Sequence, residues 1–430
     1  MIALLDIKLI REHPETIRLN LERRGNDEDI QMLNRLLTLD HEWRRILSKT
    51  NELRHERNTI THKIAALKKA GKQVTSSVEK GRKLEKKIAG LERQVKAIKE
   101  ENRDILMRLP NILHDSVPIG KDERDNLETR TWGSPPEFDF KPEDHLSIAR
   151  RLDILDDERG AKVAGHGFLY LKGNGVLLDL ALQHYAIDFM VKKGYLLVQP
   201  PFMMRRRPYE GVTDLTDFED VMYKVENEDL YMIATSEHPL AAMFMDEVLL
   251  KDNLPIKLVG VSPCFRKEVG AHGKYTKGLF RMHQFNKVEQ FIFCLPEQSW
   301  ALHEELQQNS EELYQTLGLH HKVVNVCTGD IGSLAAKKFD INIWMADGVY
   351  REVGSNSNCT DYQARRLNVR YREKEGQAPK GFVHTINNTA VATSRTMLAI
   401  LEQNQQKDGS VLIPGILSKH MSGLAKLEEH

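Results

Sequence analysis

The sequence predicts an α+β protein in which an N-terminal antiparallel α-helical coiled-coil arm precedes a body of strands and helices. Two patterns carry this. Apolar residues recur at alternating gaps of four and three over residues 39–67 and again over 84–109. A strand–loop–strand pattern, FRKEVGAHGKYTKGLFRMHQFNKVEQ, runs from Phe265 to Gln290. The first is the signature of a coiled-coil seam, the second of a hairpin.

Residues 1 to about 30 read as a short helical lead-in punctuated by Pro14. A heptad then runs through Leu39, Trp43, Ile46, Thr50, Leu53, Arg57, Ile60, Ile64 and Leu67, and the turn KKAGKQV breaks it. The second runs through Leu84, Ile88, Leu91, Val95, Ile98, Asn102, Ile105 and Leu109, and Pro110 stops it. Roughly 30 residues per helix at ~1.5 Å each makes an arm about 45 Å long. From Lys68 to Arg103 there are twelve Lys/Arg against five Glu. Solvated coiled-coil faces are often charged, but a same-sign excess better fits a phosphate backbone. Few aromatics accompany it, which favours shape and backbone reading of double-stranded RNA over base stacking. The candidate contacts are Lys68, Lys69, Lys72, Arg82, Lys83, Lys86 and Lys87.

Domain boundaries follow from composition. Residues 1–110 form the helical domain with its arm. Residues 111–135, with Pro118, Gly120, Gly133 and Pro135, read as a linker, and residues 136–430 as the body. Residues 136–170 carry no interpretable motif. At 430 residues, 29% charged and 40% apolar, with zero net charge, the chain has no global bias toward nucleic acid or membrane. Cys264, Cys294, Cys327 and Cys359 are far apart, against a zinc ribbon or a disulfide framework and for a reducing cytoplasm. The start, MIALLDIKLI, is too short and charged for a signal peptide, and no apolar run approaches spanning length.

In the body, LLDLALQHYAIDFMVKKG reads as a helix leading into the strand YLLVQPPFMM. IATSEHPL, from Ile233, reads as a helix start with Thr235 or Ser236 as N-cap. The hairpin's first arm, Lys257 to Arg266, is apolar; Gly270, Gly273 and Gly278 lie among Lys274 and Lys277 in its loop; the second arm, Phe280 to Phe293, is aromatic and β-branched. Alternation puts Arg281, Phe285 and Glu289 on one face, Arg281 and Glu289 about 26 Å apart, and Arg266 with Glu268 on one face if the strand stays extended. A cation, an aromatic plate and a carboxylate in line suit a phosphate, a purine and an amine. An amphipathic hairpin with a solvent-facing polar side would show the same pattern. His303-Glu304 opens like HExxH, but Gln307 stands where the second His is required.

The spacing Phe265-Arg266-x-Glu268, a loop, then Arg281-x-x-x-Phe285-x-x-x-Glu289 resembles motif 2 of class II aminoacyl-tRNA synthetases in its seryl-tRNA synthetase form. The helix–strand–proline unit ending at Pro200-Pro201 resembles motif 1, which in that family builds a homodimer interface. Thr235 and Glu237 resemble its threonine-x-glutamate loop. HTINNTAVATSRTMLAILEQ, from His384, resembles motif 3, with Asn388, Ala390 and Ala392 where the general form is glycine-rich. Gly354 stands where many members carry Ser. The resemblance covers nearly the whole chain, and implies the class II antiparallel sheet flanked by helices.

It further implies ATP-dependent activation of L-serine to seryl adenylate, then transfer to the 3′ end of serine tRNA, with selenocysteine tRNA a further candidate. By motif position Arg266, Glu352 and Arg395 would be catalytic. Arg266, Lys267, Glu268, Arg281, Phe285, Glu352, Ser355 and Arg395 would bind ATP, with Phe285 and Arg395 sandwiching adenine. Glu352 and Ser355 would hold Mg²⁺. Thr235, Ser236, Glu237, Arg266, Glu289, Asn387 and Thr389 would bind serine. About 35 residues follow Arg395, leaving the arm as the separate RNA-binding candidate, gripping the tRNA's long variable arm. A paralogue that loads a carrier protein or only binds RNA is the alternative.

Overall fold

The computed structural model describes residues 6–213, 221–268 and 278–429. The glycine-rich loop's Gly270, Gly273, Lys274 and Lys277 lie outside them. The chain divides into two compact units, one ending at Pro110 and one running from Asn111 onward.

The first unit is all helical: α1 (Ile7–Glu12), α2 (Pro14–Arg24), α3 (Asp27–Lys69) and α4 (Thr75–Arg108). Pro14 opens α2, where its missing N–H costs nothing, and Gly25 closes it in a left-handed conformation. The helix α3 is longer than the heptad indicates, at 43 residues. Asn26 caps it, its side chain accepting from Glu28 N–H, and Asp27, Glu28 and Asp29 suit the positive end of the helix dipole. Its first turns bury Leu33 and Leu36, and α2 packs there with Ile17 and Leu21 buried. Here α3 serves two partners, α2 as well as α4, so its early apolar residues do not mark the α4 seam alone. In the seam Leu39, Ile46 and Ile98 are buried, with Trp43, Leu91, Val95 and Ile105 against them. Arg35–Glu101 and Arg54–Glu92 pair across it, both at 2.7 Å. Lys68, Lys69, Lys72, Arg82, Lys83, Lys86 and Lys87 are all exposed, and none pairs with a carboxylate among the described residues.

The second unit is built on an eight-stranded sheet: β1 (Leu127–Trp132), β2 (Leu196–Val198), β3 (Ile256–Phe265), β4 (Gln284–Cys294), β5 (His321–Asn325), β6 (Lys337–Trp344), β7 (Tyr350–Thr360) and β8 (His384–Ala392). The spatial order is β1-β5-β6-β7-β8-β4-β3-β2. All neighbours are antiparallel except β2 and β3. Helices α5 (Asn174–Lys192), α6 (Ser299–Thr316) and α7 (Thr393–Gln403) pack on the sheet, burying Leu178, Leu182, Leu306, Leu313, Met397 and Leu401.

Residues 111–135 are not a free linker, and the body begins before 136. Asn111 Nδ2 donates to the Leu334 and Cys359 carbonyls at 2.9 and 2.8 Å. Leu113 and Val117 join a buried cluster with Val326 and Ile331, and β1 is the sheet's edge strand. The prolines and glycines on either side masked a six-residue strand whose alternation a register shift interrupts near Thr129. All four cysteines are buried and free. Among the described residues no helix is long and apolar enough to cross a membrane.

Candidate active site

The central strands supply the site. In β4 alternation puts Phe285, Lys287 and Glu289 on one face, and Val288 and Gln290 on the other, toward α6. Register then fixes the neighbours: Thr389 of β8 and Gly260 of β3 both stand opposite Glu289. Behind them Gln290 Nε2 donates to Ser310 Oγ at 2.9 Å, and Ser310 Oγ to the Thr389 carbonyl at 2.8 Å. This buried network locks the β4–β8 pair against α6.

Gly260 admits a further wall. A Cβ there would stand 2.8 Å from both Leu240 Cδ1 and Ser236 Oγ. Only glycine lets the 237–241 helix lie so close over β3, and Glu237 at its start is thereby brought near Glu289. Thr235, not Ser236, serves this helix start: Thr235 Oγ1 accepts from Glu237 N–H at 3.2 Å. Ser236 is fully buried, and its Oγ has no hydrogen-bond partner among the described residues. Glu237 Oε1 accepts from Gln363 Nε2 and Asn387 Nδ2, each at 3.1 Å. Burial, then the Glu289 charge, push the Glu237 carboxyl up to about 7. Burial also raises Glu289, against the opposing pull of Lys287, whose Nζ lies 2.5 Å from Glu289 Oε2. Thr389 Oγ1 is 3.5 Å from the same oxygen.

From Thr389 an open cleft continues past Lys287, Arg266 and Phe285 to Glu352 and Arg395. The Arg266 guanidinium lies over the Phe285 ring at 5.2 Å, and its Nε donates to the Ala234 carbonyl at 3.3 Å. Arg395 instead covers Phe280 at 4.8 Å, so Phe285 and Arg395 share the cleft without facing each other as plates. Arg395 Nη1 donates to the Glu352 carbonyl at 2.8 Å and lies 3.4 Å from Glu352 Oε1. Burial raises the Glu352 carboxyl, but Arg395, Lys338, Arg266 and Lys287 outweigh it and hold it below its usual value.

Two expectations from strand alternation fail. Arg281 precedes β4, beyond a turn of 3₁₀ helix at Gly278–Phe280, so no strand carries it 26 Å from Glu289. Its Nε pairs with Glu268, and it lines a neighbouring cavity with His283 rather than the cleft. Glu268 turns into the left-handed region at φ 51°, so it does not share an extended face with Arg266; both reach the cleft nonetheless. Lys267 bonds through its N–H to the Val221 carbonyl and does not line the cleft.

The oxygens near Glu352 suit a hard divalent cation. In β7 the register shifts at Val353, so Glu352 opposes Asn342 while Ser355 opposes Asp340. The extra residue brings Glu352 and Ser355, three apart in sequence, to one face. Ser355 Oγ donates to Asp340 Oδ1 at 2.6 Å, leaving the hydroxyl's lone pairs open to a cation. Among the described residues no three His, Cys, Asp or Glu side chains form a metal cage, so such a cation would need phosphate oxygens as well.

Comparison with known proteins agrees with this arrangement. Residues 4–113 match the family described as seryl-tRNA synthetase N-terminal domain. Residues 222–404 match the tRNA synthetase class II core domain (G, H, P, S and T). A serine–tRNA ligase of Methanocella arvoryzae is 51% identical over 99% of this chain and 100% of its own length. The chain belongs to the seryl-tRNA synthetase family. Among solved seryl-tRNA synthetases, that of Pyrococcus horikoshii complexed with ATP superposes with a TM-score of 0.95 at 48% identity, over 99% of this chain and 100% of that one. The cytoplasmic enzyme of Naegleria fowleri with AMP gives 0.88 at 38% identity, over 99% of each chain. Sequence reasoning missed Lys287, Gly260, Gln363 and Asp340. Alternation alone could have found Lys287, midway between Phe285 and Glu289; the others are set by tertiary contacts.

Proposed function

We propose that this chain activates L-serine with ATP and transfers the seryl group to the 3′ end of serine tRNA. One observation carries the reading. Phe285, Glu289 and Thr389 on the central strands are joined by cations (Arg266 at the end of β3, Arg395 of α7) and by Glu237 of the 237–241 helix, giving an aromatic plate, cations and a buried carboxylate end at one site.

The serine carboxylate is ionised before it attacks the α-phosphorus, so no general base is required. Charge stabilisation by preorganised cations does the work. Arg266 bridges the serine carboxylate and the α-phosphate. Arg395 holds the outer phosphates, and Arg281 joins it by leaving Glu268, which then reads the adenine amino group. Adenine stacks on Phe285. Glu352 and Ser355 would hold Mg²⁺, which when bound would neutralise phosphate charge. The serine ammonium and hydroxyl meet Glu289, Glu237 and Thr389, with Asn387 and Thr235 holding the Glu237 end.

The exposed cations of the α3–α4 turn and of α4 bind the backbone of the tRNA's variable arm. The chain acts as a homodimer: Leu177, Leu180, Val191, Leu196 and Leu197 of α5 and the edge strand β2 are exposed apolar residues that a second copy would cover. Its place is the cytoplasm.

Amino-acid-dependent pyrophosphate exchange into ATP, without tRNA, tests this with serine, threonine, alanine and glycine. Exchange with serine alone is expected. Exchange with another amino acid would overturn the specificity, and none at all would overturn the activation step.

A further inference from the structure

Lys287 has no role in the reaction described above, yet it lies at its centre. On that reading Phe285 marks adenine and Glu289 marks serine, and Lys287 stands between them on the same face of β4. Alternate residues of a strand are ~7 Å apart, so it sits where the serine carboxylate and the α-phosphate must meet. Its side chain is 8% exposed and lines the cleft beside Arg266. Besides its pairing with Glu289, its charge acts on Glu237 and Glu352. It is thus a hub for three carboxylates.

Burying an ammonium is costly unless it is paired, and Glu289 provides the pair. But serine needs Glu289 for its own ammonium. We propose that Lys287 is a further residue of the reaction centre, a displaceable counter-ion. In the free protein it neutralises Glu289. When the serine ammonium takes that carboxylate, the lysine's flexible stem lets its ammonium turn to the α-phosphate. There it stabilises the charge that gathers as a serine carboxylate oxygen bonds to the α-phosphorus. The bond from that phosphorus to the bridging oxygen breaks, and pyrophosphate leaves with the electron pair. Lys287 gives up no proton. Occupation of the serine end is thereby coupled to stabilisation of the phosphate end.

The inference rests on the serine-activation reading, so serine-dependent exchange by the unaltered chain is measured first; no exchange there overturns both. With it established, Lys287→Gln is the informative variant, since its amide can still donate to Glu289 without carrying charge. Its exchange kcat is expected to fall about 10²-fold. Affinity for a non-hydrolysable ATP analogue should stay near that of the unaltered chain, and Lys287→Arg should recover part of the loss. An unchanged kcat with only serine KM raised would make Lys287 a mere partner of Glu289 and overturn the inference. Should Lys287→Gln not fold, a crystal structure of the unaltered chain with a non-hydrolysable seryl adenylate analogue decides. Nζ within hydrogen-bond reach of the analogue's α-phosphate position supports the inference, and Nζ still on Glu289 overturns it.

Discussion

Gln363 holds Glu237 by one oxygen only. Its Nε2 donates to Glu237 Oε1 at 3.1 Å, and its own Oε1 accepts from Thr385 Oγ1 at 2.7 Å, which fixes the amide's orientation. Asn387 donates to the same Oε1, so among the described residues Oε2 has no hydrogen-bond donor and is left for an incoming ammonium. A hydrogen bond to a charged group is worth ~1.5–3 kcal/mol, so Gln363→Leu is expected to raise serine KM about 10- to 100-fold. ATP KM should hardly move. Exchange kinetics at varied serine and varied ATP check this.

The same carboxylate predicts a pH dependence. Glu237 is pushed up to about 7 by burial and then by Glu289. An ammonium binds the ionised form, so serine KM is expected to fall as pH rises from 6 to 8. The effect on folding runs the other way. A carboxyl that holds its proton more tightly folded than unfolded contributes stability below its unfolded value, ~4.3, and loses it as pH rises toward 7. Serine titrations and thermal melts across that range should therefore show opposite trends.

Glu289 and Thr389 face each other across β4 and β8. Glu289→Ala is expected to abolish serine recognition while leaving ATP binding in place. Thr389→Val should narrow the preference for serine over alanine, because a site that bonds a hydroxyl rejects the analogue lacking it. The ratio of kcat/KM for the two amino acids measures this.

Arg395 joins the start of α7 to β7 through Glu352. Removal of one preorganised cation from a charge-stabilising site costs ~10²–10³ in kcat. Arg395→Ala should lose that much in exchange with little change in the melting temperature.

The arm should affect the second step alone. Replacing Arg82, Lys83, Lys86 and Lys87 with Ala is expected to leave serine-dependent exchange intact and to weaken tRNA charging. Each lost phosphate contact lowers the salt slope of tRNA binding by about 1. Normal charging by this variant, or by one with a shortened arm, would refute the assignment of the arm.

The legible part of this protein is periodic. Heptads in α3 and α4 mark the seam because only the residues facing a partner helix need be apolar. Alternation in β4 places Phe285 and Glu289 because both lie inside one regular strand. Where the chain leaves a repeat, legibility stops. Arg281 sits one turn too early for the strand, and Glu268 takes a left-handed φ that no spacing announces. Ser355 joins Glu352 only through a shift of register in β7, which an alternating pattern reads as opposite faces.

By itself the sequence determined the coiled-coil arm, its positive charge and the ordered motifs, since each depends on residues near one another along the chain. Tertiary structure alone decided which carboxylate meets which cation. Glu237 comes near enough to feel the Glu289 charge because Gly260 lets a helix approach β3, and Gln363 meets Glu237 from 126 residues away. Such contacts are fixed by the packing of elements, and local spacing holds no record of them.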